Sequence, residues 1–192
     1  MGENDFRMDF TDGSKNVTGR VLAANPGLMD PNFMQTLVFV AEHNEQGAFG
    51  LVMNRPTGKK VGEIAKIPGA SDEIQDVGVL IGGPVHPDNL LVALFFKGSS
   101  DQDIECKLDA PLEEAIAVLR SGDGWVRAFS GYAGWGEGQL DGELEQDAWK
   151  VCPVDPILFV EKYAGGLWSI FVNDDQRWRI LLDYLPDDPS AN

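Results

Sequence analysis

"QTLVFVAEHNEQGAFGLVMN", residues 35–54, constrains this chain more than any other stretch. Residues 35–43 are β-branched and aromatic with almost no polar alternation, the pattern of a strand covered on both faces. "NEQG", residues 44–47, reads as a four-residue loop, and "AFGLVMN" returns at once as a second apolar strand. The two runs predict an antiparallel hairpin.

The flanking sequence supplies more strands and a few helices. "TGRVLAAN" reads as a strand ended by the Asn25-Pro26-Gly27 turn signal. Asp30 can cap a short helical turn with Pro31 at its first position, where a missing N–H costs nothing. Arg55-Pro56 forces an extended exit from the hairpin. Residues 61–67 predict two helical turns with Val61, Ile64 and Ala65 facing inward. Residues 77–85 give a short strand running into Gly82-Gly83-Pro84, which must turn, and 89–96 a buried strand. In 109–124, Leu112, Ala115, Ile116 and Leu119 recur at helical spacing, with acids in the first turn, Arg120 in the last and Gly122 as a stop. Residues 125–131 read as a strand, 166–174 as a helix and "RWRILLDYL" as a closing strand. Strands and helices mix without regular alternation, which predicts a single compact α+β domain rather than a doubly wound sheet. The boundaries are a polar arm over 1–16, on which Phe6 and Phe10 can dock, one domain over 17–186, and a frayed tail over 187–192. A 192-residue globule buries enough surface to need neither a metal nor a disulfide staple.

Charge narrows the function classes. Fifteen Lys and Arg against 31 Asp and Glu leave a formal net charge of −16. Nucleic-acid binding draws on neutralised phosphates, so direct nucleic-acid contact is disfavoured. The densest basic group, Arg55, Lys59, Lys60 and Lys66, is small and holds Glu63 inside it. No run of about 18 apolar residues exists, so no membrane partner is expected. The opening "MGENDFRMDF" has no apolar secretory core, and Phe6 occupies the Ser/Thr position of a myristoylation signal. A cytoplasmic protein with Cys106 and Cys152 as free thiols is the expectation.

Chemistry-bearing groups are few. "SGYAGWGEGQLDGELEQDAW", residues 130–149, offers a glycine-rich loop leading into a helix whose N–H groups could hold an anion. It matches neither phosphate-loop nor dinucleotide spacing, and it contains no Lys or Arg. A close-packed corner, with Trp135 and Trp149 supplying buried area, is favoured. His43 and His86, the latter beside Asp88, could hold a metal for hydrolysis, yet no HExxH or CxxC pattern joins them. Cys106 beside Lys107, or Cys152 after Lys150, could serve thiol redox chemistry, although a buried inert thiol is favoured. Arg55 in "MNRPTGKK" could clamp a carboxylate or phosphate, against a solvated loop in which it pairs with an acid.

Taken together, "GRVLAANPGLMDPNFMQTLVFVAEHNEQGAFGLVMNRPTG", "IGGPV" and "GYAGWGEGQLDGELEQDAW" resemble the AlgH/YqgE family of bacterial proteins, from about Gly19 to the C-terminus. The resemblance implies one α+β domain with a split, mixed, partly barrel-like sheet flanked by helices, in a bacterial cytoplasmic protein. Some members are described as transcriptional regulators, and no reaction is implied. After Val85, "HPDNLLVAL" departs from many relatives, which often carry an Arg-Gly and a later His there.

The expectation is therefore a non-enzymatic regulatory or binding protein without cofactor, acting on a protein partner or small ligand without direct DNA contact. Its face would comprise Asn54, Arg55, Gly82, Gly83, Pro84, His86, Gly131, Tyr132, Gly134, Trp135 and Gly136. Polar and glycine residues concentrate in these loops between strongly apolar strands. The competing class is an enzyme, a metal-assisted hydrolase using His43 and His86 or a thiol redox protein.

Overall fold

The computed structural model describes residues 16–98, 104–108, 110–160 and 166–173. The elements are β1 (Val21–Ala24), β2 (Leu37–Asn44), β3 (Gly47–Val52), β4 (Pro56–Lys60), α1 (Val61–Ile64), α2 (Asp72–Gln75), β5 (Gly78–Ile81), β6 (Val85–Lys97) and β7 (Ile104–Leu108). There follow α3 (Leu112–Ser121), β8 (Gly124–Trp135), α4 (Gln139–Glu145), β9 (Trp149–Cys152), a 3₁₀ turn (Pro156–Phe159) and α5 (Leu167–Val172). One mixed sheet runs β4-β5-β8-β3-β2-β1-β9, and β6 leaves the other edge of β8 carrying β7. The sheet curls into a half-barrel with helices around it, so the α+β, partial-barrel expectation holds.

The hairpin forms as its sequence requires. Val38, Phe39 and Val40 pair with Val52, Leu51 and Gly50, and a bulge follows before Glu42 meets Phe49. Asn44 pairs with Gly47, so the connecting loop is only Glu45-Gln46, tighter than the four residues expected. Residues 37–40 are no more than 1% exposed. Leu37 and Phe39 enter a core with Phe95, Phe129 and Phe159, while Val38 and Val40 enter a second with Trp135 and Trp149. That division explains the missing polar alternation: both faces of β2 meet apolar layers. A third core, built on Val61, Ile74, Leu94, Ala115, Val118 and Val126, lies beneath α1, α2 and α3.

β8 organises the rest. Ala128–Ser130 pair in parallel with Val79–Ile81 of β5, and the same residues pair antiparallel with β6. β5 and β6 therefore hold opposite edges of β8, and the chain between Ile81 and Val85 must cross it. A Cβ on Gly82 would stand 2.2 Å from the Gly131 carbonyl oxygen, and one on Gly83 2.2 Å from the Tyr132 carbonyl carbon. Only glycine lets two backbones approach so closely. "IGGPV" and "SGYAG" are thus the two halves of one crossing.

Several expectations need correction. Helix α1 is a single turn, because Ala65 is already extended and Pro68 lies ahead. Ile64 is 42% exposed rather than inward, while Val61 is fully buried. Helix α3 begins at Leu112, since Pro111 occupies the N-cap, and it ends where Gly122 turns left-handed (φ 73°) as expected. Residues 56–60, read as an extended exit and loop, form edge strand β4, with Pro56 opposite Leu80 and Lys60 opposite Gly78. The proposed arm up to residue 15, the closing strand over 177–185 and the tail over 187–192 lie outside the described residues.

Candidate functional site

The backbone crossing brings three expected loops to one corner. The Val52 N–H donates to Gly82 O at 2.9 Å, Ile81 N–H to Arg55 O at 2.8 Å, and Gly82 N–H to Ser130 O at 2.9 Å. Val85 then pairs with Tyr132, and residues 86–89 bulge outward before Leu90 meets Ser130. His86 takes a left-handed backbone (φ 47°) to make that bulge. Its ring lies 6.0 Å from Tyr132, which stacks on Phe49 at 4.6 Å. The Ser130 hydroxyl donates to the Pro87 carbonyl and secures the base of the bulge. Pro84, His86, Pro87, Asp88 and Asn89 are exposed. Two apolar residues joined to Arg55 by backbone groups are also exposed: Met34 by 45%, its carbonyl accepting from the guanidinium, and Ile81 by 43%, its N–H donating to the Arg55 carbonyl.

Two members of the expected face also hold the fold together. The buried Asn54 amide accepts from Leu37 N–H at 2.9 Å and donates to Gln35 O at 2.9 Å. Arg55 donates to the carbonyls of Pro31, Asn32 and Met34 at 3.2, 2.8 and 3.0 Å. The turn over 30–35 leaves those oxygens without backbone donors, and the planar guanidinium satisfies three at once. Arg55 therefore clamps the carbonyls of the 31–34 turn rather than pairing with a surface acid.

Trp135 and Gly136 belong to a different place. Trp135 is 5% exposed and packs on Phe33 and Trp149, with ring centroids 6.0 and 6.1 Å away. One Glu143 carboxylate oxygen accepts both indole N–H groups, from Trp135 at 2.8 Å and Trp149 at 2.7 Å. Its other oxygen accepts from the Gln139 amide at 3.0 Å. The stretch 130–149 is the close-packed corner: strand end, a turn with Gly138 left-handed (φ 66°), helix α4 and strand β9. The structure brings together Asn54, Arg55, Gly82, Gly83, Pro84, His86, Gly131 and Tyr132. Gly134 pairs with Phe49 on the way out, and Trp135 and Gly136 sit by α4.

The corner separates two concavities. One, of about 250 Å³, is lined by Met53, Pro56, Lys59, Leu80, Arg127 and Leu158 among others. The second, of about 590 Å³, is lined by Asp88, Asn89, Leu91, Gly131 and Tyr132 among others. The loops meet at one seam but open on different hollows.

Neither enzymatic alternative gains a site among the described residues. His43 is 7% exposed; its Nδ1 accepts from Val17 N–H at 3.3 Å, and its Nε2 faces Asp141 at 3.7 Å. It stands opposite Ala48, whose β8 partner is Trp135, whereas His86 lies beside Tyr132 on the other edge of β8. No three His, Cys, Asp or Glu side chains gather to hold a metal among the described residues. Neither Cys106 nor Cys152 is joined in a disulfide. Burial pushes the Cys106 thiol up to about 12, which suppresses the thiolate that redox chemistry needs. No helix among the described residues is long and apolar enough to cross a membrane.

The model of the AlgH-like family, DUF179, matches residues 21–180. The chain belongs to the AlgH-like family. A UPF0301 protein of Streptomyces coelicolor is 36% identical over 190 residues, spanning 92% of this chain and 95% of that one. The UPF0301 protein AlgH of Pseudomonas aeruginosa is 39% identical over 151 residues, 72% of this chain and 78% of its own. The solution structure of Pseudomonas aeruginosa AlgH superimposes with a TM-score of 0.59 at 32% identity, covering 91% of this chain and 96% of that one. A Corynebacterium diphtheriae protein solved by X-ray crystallography shares the fold, with a TM-score of 0.58 at 24% identity over 91% of this chain and 90% of its own.

Within this AlgH-like chain, the residue that sequence reasoning missed is Glu143. It was one acid among 31. Its signal was positional: it lies eight residues after Trp135 and six before Trp149, so a single turn of α4 reaches both indoles.

Proposed function

We propose that this AlgH-like protein is a cytoplasmic regulatory protein that works by binding and performs no covalent chemistry. Its contact face is the seam of residues 54–56, 81–89 and 130–132, and its target is a protein partner or small ligand. Any effect on transcription passes through that target and not through DNA. One observation carries this reading: Asn54, Arg55 and Ser130 are held in structural bonds, while Ile81, Pro84 and the 86–89 bulge are presented to solvent. Exposed apolar groups on a rigid, strand-anchored corner suit recognition. The charge of −16 supports contact with proteins or small solutes over polyanions.

The test compares pull-downs with the parent chain, Ile81→Ser and His86→Gly. Both substitutions are at exposed positions, and glycine accepts the backbone of residue 86 without strain. A partner retained by the parent and lost from both folded variants is expected; a partner retained by both overturns the assigned face. Salt-sensitive binding of the parent to duplex DNA would overturn the exclusion of DNA.

A further inference from the structure

From the composition of the cleft between β4, β5, β8 and the 3₁₀ turn, we infer that it binds an organic carboxylate with an apolar body. It extends the binding reading above to a second place on the same sheet. Met53, Leu80 and Leu158 form an apolar floor and are almost wholly buried. Lys59, Lys60 and Arg127 line the same space. Among the described residues, the lining holds three of the chain's 15 Lys and Arg but only Asp76 of its 31 Asp and Glu. Acids outnumber bases two to one in the chain, and here the ratio inverts. Asp76 pairs with Lys60. Arg127 donates to the Val126 and Phe159 carbonyls, which holds its guanidinium against the 3₁₀ turn. Lys59 is exposed beside them on an edge strand.

The chemistry of these walls selects the ligand. An isolated cation cluster on a surface would take any anion, but the apolar floor rewards a ligand that buries a hydrophobic body against it. The volume of about 250 Å³ exceeds the roughly 150 Å³ of a cavity that takes benzene, so a two-ring or medium-chain body fits. A cation or neutral alcohol of the same shape forgoes the attraction of the rim.

Isothermal titration of the full chain with 2-naphthoate tests this. One saturable site is expected, with 2-naphthalenemethanol at least tenfold weaker. Lys59→Glu reverses one exposed rim charge and is expected to weaken 2-naphthoate by about thirtyfold, the equivalent of two unit-charge changes at close range in water. Circular dichroism confirms that this variant is folded. Absence of saturable 2-naphthoate binding, equal binding of the alcohol, or an unchanged Lys59→Glu affinity overturns the inference. The Ile81 pull-down reads the seam separately: 2-naphthoate binding with no lost partner condemns the seam alone, and the reverse condemns the cleft alone.

Discussion

Gly83→Ala should be among the most damaging single-methyl additions in the molecule. The new Cβ would lie 2.2, 2.3 and 2.4 Å from the carbonyl carbon and oxygen of Tyr132 and the nitrogen of Ala133. Those are backbone atoms more than 1 Å inside ordinary contact, so no side chain can swing away. The backbone of residue 83 is also at φ 153°, which glycine adopts far more readily than alanine. Overpacking costs about 1–3 kcal/mol and a sparsely populated backbone about 1–3 kcal/mol more, for a total of about 2–6 kcal/mol. A protein of this length loses about 2–4 °C per kcal/mol, so melting should fall by about 5–20 °C. Gly136→Ala is the control, because nothing lies within 4 Å of its added Cβ. Urea unfolding followed by tryptophan emission measures both. If Gly83→Ala unfolds within about 0.5 kcal/mol of the parent, the range of an unremarkable surface substitution, the chain does not cross β8 at this point.

Other expectations follow from the same contacts. Glu143→Ala should cost about 2–4 kcal/mol, because two indole N–H groups lose a charged acceptor, and should shift tryptophan emission; an unchanged spectrum and stability would refute the shared acceptor. Because three carbonyls lose their donor, Arg55→Ala should speed proteolysis within residues 26–35, while lowering the stability of the sheet by no more than about 3 kcal/mol. Cys106 should resist thiol reagents at pH 8 until the chain is unfolded. The folded thiol, raised from 9.0 to about 12, keeps its proton where the unfolded thiol loses it. Its contribution to stability is therefore complete below about pH 9 and fades as pH rises towards 12, so Cys106→Ala should lose less stability than the parent between pH 8 and 10.5.

What the sequence disclosed was set by local pattern, and what it hid was set by long-range contact. β2 and β3 were legible because both faces are apolar and their connection is short. The stop at Gly122 was legible because only a left-handed residue ends a helix that way. β4 was hidden because its polar residues 56–60 pair at the sheet edge, where outward side chains meet water. The site was half legible. Gly82, Gly83 and Gly131 announced close approach but not its partner, which depends on β5 and β6 taking opposite edges of β8. Arg55 looked available for a ligand because nothing local shows that three carbonyls 21 to 24 residues earlier await a donor.

Photo-crosslinking in living cells tests the binding face most directly. A benzophenone amino acid placed at Ile81, on the seam, is compared with one at Asp123, exposed at the opposite end of β8. A discrete adduct from position 81 that position 123 does not give is the expected result. The same adducts from both positions, or adducts from position 123 alone, would contradict the seam as the place where this protein meets its target.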